Sequence, residues 1–103
     1  MNDTTPDARE LVDALAAVRE ALAIPHAATM GDDETRAKIL GERLGHTVAM
    51  LSSVLDRIGD GRDADIPWSV GYLREQLAKH PAEGYKTWDA RVAELEAAKA
   101  ARA

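Results

Sequence analysis

Apolar residues in this chain recur in steps of four and three, the signature of helices with one apolar side. Leu11, Leu15, Val18 and Leu22 form the first such row, with Arg9, Glu10, Asp13 and Glu20 on the other side. Thr5-Pro6 supplies its start: threonine accepts from an orphan amide as N-cap, and proline suits the first helical position. Pro25 and His26 end it, because the residue before a proline leaves helical geometry. A second start lies at Gly31-Asp32-Asp33-Glu34, whose carboxylates favour the positive end of a helix dipole. The row that follows is the longest: Leu40, Leu44, Thr47, Leu51, Val54 and Ile58, widened by Val48 and Leu55 and stopped by Gly59 and the loop Asp60-Gly61-Arg62-Asp63. A third helix opens around Asp65-Ile66-Pro67, carries Ile66, Val70, Leu73 and Leu77, and ends before Pro81. Thr87 caps a fourth, where Trp88, Val92 and Leu95 fade into Lys99 and alanines, a tail held helical by propensity with little to pack on.

No window has the β-branched, period-two pattern of a strand, and nothing repeats at a fixed interval. The pattern predicts an all-α fold, a compact bundle of four helices with the second longest and central. Connections of roughly 6 to 10 residues permit antiparallel neighbours. The first two helices, with the longest rows, are expected to make the central contact. One domain spans residues 1–103, with 1–4 and 97–103 frayed at the ends.

Composition thins this core. Of 103 residues, 46% are apolar, but 20 are alanine and none is phenylalanine. Alanine contributes little area on leaving water, so burial rests on Leu, Val and Ile, and a second copy would help such a chain. The net charge of −5 comes from 18 acidic and 13 basic residues that intermingle, without the basic face that nucleic-acid phosphates call for. There is no cysteine, which excludes disulfides, thiolate chemistry and cysteine zinc sites. Met1 to Glu10 lacks a basic and then apolar leader, and no apolar run approaches the roughly 20 residues that cross a bilayer. The expected address is cytoplasmic.

The candidate chemistry is sparse. Asp60 to Asp65 holds three carboxylates, but its glycine is misplaced for a calcium loop and no glutamate closes it. His26, in a loop, and His46 are the histidines around which a polar site would form, yet neither has an activating neighbour in sequence. No cofactor, metal or catalytic residue is expected. The stronger signals concern helix surfaces. On the long helix, Ala37, Gly41, Gly45, Ala49 and Ser53 recur at every fourth position. Glycine within a helix costs about 1 kcal/mol against alanine, so Gly41, Gly45 and Ala49 mark a site of close helix packing, with this chain or a second copy as neighbour. Ile39, His46, Met50 and Arg57 lie on a second side of that helix, and Trp68 and Tyr72 stand one turn apart opposite the apolar row of the third. Trp68, Tyr72, Ile39, His46 and Met50 are therefore the candidate interface, since aromatic anchors dominate interface energetics.

The strings Ile24-Pro25-His26-Ala27-Ala28-Thr29-Met30-Gly31-Asp32, Trp68-Ser69-Val70-Gly71-Tyr72-Leu73-Arg74-Glu75 and His80-Pro81-Ala82-Glu83-Gly84-Tyr85 resemble small uncharacterised helical proteins of high-GC actinobacteria and their phages or plasmids. The likeness covers most of the chain. It implies an accessory or regulatory role and brings no catalytic or binding residue with it.

The function expected from these features is a non-enzymatic helical protein-protein interaction module that self-associates as a homodimer, with another protein as the other expected partner and no membrane. Two alternatives remain. One is a small DNA-associated transcriptional regulator using the third and fourth helices, and the other an enzyme with a site near His26 or His46.

Overall fold

The computed structural model describes residues 5–102 and builds them into four helices, α1 (Ala8–Leu22), α2 (Met30–Gly59), α3 (Ile66–Lys79) and α4 (Trp88–Ala101). The chain is thus all-α, a helical bundle with its second helix the longest. The fraying expected of residues 1–4 falls outside the described residues, while α4 stays helical through Ala101.

Each start has a local cause. α1 is capped by Asp7, not Thr5: its Oδ1 accepts from the Glu10 amide at 2.8 Å. Asp is at least as good a cap as Thr, and Asp7 stands at the right distance before Glu10. α2 begins slightly ahead of the predicted acidic cluster. The Thr29 hydroxyl accepts from the Asp32 amide at 3.2 Å and donates to Asp32 Oδ2 at 2.8 Å, a capping exchange. At the start of α3, Asp65 sits in the left-handed region at φ 48, a conformation Asp tolerates better than most residues, and its amide donates to Asp63 Oδ1 at 3.0 Å. Thr87 caps α4 as predicted, accepting from the Ala90 amide at 3.1 Å.

Contacts between helices join α1, α2 and α3. Against expectation, the α1–α2 pairing is the least extensive of the three, and α3 packs along both partners. The interior consists of Ala14, Ala17 and Ala21 from α1, Met50 and Val54 from α2, Ile66, Val70 and Leu73 from α3, and Ala64 from the loop. The predicted core row of α1 therefore faces elsewhere: its alanines point inward, and Leu11, Leu15 and Leu22 are exposed. A small side chain lets a helix sit close to its neighbours, and within the chain it is the alanines of α1 that do so.

Arg43 locks this arrangement. It is buried on α2, and its Nε donates to the carbonyl of His80 at the end of α3 at 2.9 Å. Its Nη1 donates to the carbonyls of Glu20 and Ala21 in the last turn of α1, at 3.0 and 3.3 Å. One guanidinium thus satisfies orphan carbonyls, and the negative dipole ends, of two helices. Burial pulls Arg43 below its ordinary pKa range against an opposing effect of Tyr85, and the group remains charged at neutral pH.

The N-terminal half of α2 is covered by connecting segments. Arg36 donates to the carbonyls of Ile24 and Pro25, Tyr85 donates its hydroxyl to Pro25, and Ala27 pairs antiparallel with Thr87. This clasp holds the base of α4, which packs on no other helix and has no buried residue among those described. The molecule measures 71 × 24 × 18 Å, longer than the roughly 45 Å of α2, because α4 continues past the bundle.

Candidate interaction surfaces

Two surfaces stand out, on opposite flanks of α2. The first lies between α2 and α3 and brings together three of the predicted interface residues. Trp68 is 59% exposed and stacks on Tyr72, with centroids 6.0 Å apart and planes within 6°. The Tyr72 hydroxyl lies 2.9 Å from His46 Nδ1, and the His46 ring stacks on His80 at 5.5 Å. His80 Nδ1 in turn lies 2.7 Å from Glu42 Oε2. The result is a ladder from Trp68 to Glu42, made because α3 runs beside α2 and brings its capping histidine onto the same side. Ile39 is half-buried at the far end, in a shallow groove that Glu42 and His80 also line. Met50 does not belong here: it is 1% exposed and part of the core, so its place in the predicted interface is withdrawn. It lies on the same inward line as Arg43, Thr47 and Val54.

The second surface was not predicted as one. At about 100° per residue, the exposed row of α1 (Leu11, Leu15, Leu22, with half-buried Val18) lies about 100° from its buried alanines. On the other flank of those alanines stand Asp13 and Glu20, which Arg74 of α3 engages at 3.1 and 3.2 Å. The α1 row therefore points away from α3. α2 repeats the scheme. Leu44, Val48, Leu55 and Ile58, with half-buried Leu51, lie about 90° from its buried line, and the opposite flank carries His46, which meets Tyr72 of α3. Both rows thus border the α1–α2 junction on the side facing away from α3 and form one aliphatic face. Leu15 is 68% and Leu55 63% exposed. A shallow hollow on the outer side of α1, bordering this face at Leu15, is lined by Val12, Leu15, Ala16 and Arg19.

The small-residue row lies beside this face. A Cβ added at Gly41 or Gly45 would meet nothing within 4 Å, and both, like Ala49, are exposed. Among the described residues no other helix packs against Gly41 or Gly45 at that distance. Because a four-residue step drifts by about 40° per repeat, Gly41 borders the aliphatic face while Ala49 has turned to the back of the helix.

The other candidates are ordinary surface. The His26 side chain is exposed, and its carbonyl accepts from the Trp88 amide at 2.7 Å within the clasp. Between Asp60 and Asp65 only Ala64 is buried, and Arg62 pairs with Asp60 at 3.0 Å. Among the described residues no helix is long and apolar enough to cross a membrane. No family model matches the chain, and no curated protein or solved structure matches it.

Proposed function

We propose that this chain is a non-enzymatic helical interaction module that binds protein through uncovered helix faces and associates with itself. One observation carries the reading: the aliphatic rows of the two longest helices are turned outward together, while α1 faces the interior with alanines. A patch of this size matches the largest that a typical monomer exposes, and such patches often mark interaction sites. The −5 net charge and the mixed charge pattern favour a protein partner over nucleic acid or an anionic lipid surface. A cytoplasmic setting and an accessory or regulatory role in a mobile element belong to the same reading and rest on the sequence.

Light scattering on the purified chain over a range of concentrations tests it. The expected mass exceeds the 11.1 kDa of one chain and rises with concentration. A mass fixed at that of one chain up to high micromolar concentration overturns self-association.

A further inference from the structure

We propose that the α1/α2 aliphatic face is the dimer interface, closing on the same face of a second copy to make a four-helix, twofold contact. This rests on the self-association reading and specifies its surface and partner. Three observations select a second copy as the occupant.

The first is size. The combined exposure of Leu11, Leu15, Leu22, Leu44, Val48, Leu55 and Ile58 equals about three and a half whole aliphatic residues, on the order of 450 Å² of apolar surface. A standard interface takes about 800 Å² from each partner, of which roughly 60% is apolar, so the face has the apolar content of one half of a stable dimer.

The second is period. Leu11, Leu15, Val18 and Leu22, and Leu44, Val48, Leu51, Leu55 and Ile58, step by four and three throughout. That is the heptad spacing of helices that pack knobs into holes, and an identical face offers a matching spacing and length. A twofold contact uses one patch on both copies, so it requires nothing beyond what is present.

The third is charge. Neither row contains an ionised side chain. The one cation beside the rows, Arg19, stands at their edge next to Leu15, so the face offers little to steer a charged peptide, nucleic acid or lipid headgroup, and the rows bring no like charges together when two copies meet. The aromatic ladder on the other flank differs in each respect: Tyr72, His46, His80 and Glu42 already partner one another.

The test compares the wild type, Leu15→Glu combined with Leu55→Glu, Trp68→Ala, and Trp88→Ala combined with Leu95→Ala, by sedimentation equilibrium with circular dichroism as the check on folding. The two glutamates replace exposed side chains, so helicity should be kept while the dimer weakens by roughly a thousandfold, since each carboxylate must leave water unpaired. The other two variants should remain dimeric. In addition, the chain has no cysteine, so Val48→Cys places a single thiol in the middle of the α2 row. A short bismaleimide should link it into covalent dimers. If the glutamate variant stays dimeric, if Trp68→Ala or the α4 variant is the one that dissociates, or if Val48→Cys yields no cross-linked dimer, the interface lies elsewhere while self-association stands. A wild type that remains monomeric overturns both.

Discussion

Replacing Arg43 with methionine removes a single group that ties both the end of α1 and the end of α3 to α2, while keeping most of the aliphatic stem. The guanidinium makes three contacts, to the carbonyls of His80, Glu20 and Ala21, and the last two share Nη1, so they count as about one bond. A hydrogen bond to a charged group contributes about 1.5–3 kcal/mol net, which puts the two effective bonds at roughly 3–6 kcal/mol. Against this stands the cost of holding the charge out of water, several kcal/mol in full burial, part of which methionine recovers. The carbonyls left behind decide the sign. They lie at helix ends, part-buried at His80 and Glu20 and buried at Ala21, and each one deprived of a donor out of water's reach costs about 1–3 kcal/mol. The expected net loss for Arg43→Met is about 3 kcal/mol. Arg43→Lys should lose about half as much, because one ammonium keeps the charge at the two dipole ends but cannot fork between them. Urea denaturation followed by circular dichroism at one fixed protein concentration measures this, the fixed concentration being needed because dimerisation adds to stability. An Arg43→Met protein within about 0.5 kcal/mol of wild type, or above it, would refute the role assigned to Arg43.

Three further predictions follow from particular atoms. Ser69 Oγ is buried on the core side of α3 and has no hydrogen-bond partner among the described residues, so Ser69→Ala should raise stability by about 1 kcal/mol in the same urea assay; a loss would mean that the hydroxyl is satisfied. Gly45→Ala should add about 0.8–1 kcal/mol through helix propensity without changing the oligomeric mass, because open space surrounds the position and it lies off the aliphatic face; dissociation on this change would place Gly45 inside the contact. Asp32 Oδ1 accepts from the Lys86 amide at 3.1 Å, and that bond, followed by the one from Thr29, holds the Asp32 carboxyl below its ordinary pKa. A depressed folded pKa means that its contribution to the clasp is complete above the unfolded value near 3.9 and is lost as pH falls through the lower folded value. The Lys86 amide resonance should therefore titrate with a midpoint below 3.9, and a midpoint at or above it would contradict the bond.

The helices were legible because each has its own punctuation: Thr87 and Asp65-Ile66-Pro67 at starts, Gly59 and Pro81 at stops. What periodicity could not settle was which of two neighbouring rows on one helix faces inward. On α1, Ala14, Ala17 and Ala21 step by three and four just as the leucines do, and the larger side chains drew the assignment. The fold chose the alanines, since they let α1 sit close to α3 and α2. On α2 the true inward line, Arg43, Thr47, Met50 and Val54, also keeps the step of four and three, but an arginine and a threonine disguise it. The pairing of Trp68 with Tyr72 could be read because they stand one turn apart. Their link to His46 and His80 could not, because it depends on how α3 lies along α2. The outward leucines follow from the same choice: α1 turns its alanines toward the aliphatic row of α3, and its own leucines, with the neighbouring row of α2, are left at a surface.

The most direct test of that claim is isotope-filtered nuclear Overhauser spectroscopy on a mixture of carbon-13-labelled and unlabelled chain, which detects only contacts between copies. The account predicts cross-peaks to the unlabelled copy from the methyl groups of Leu11, Leu15, Val48 and Leu55. Contacts confined to Trp68 and Tyr72 or to α4, with these methyls silent, would contradict it.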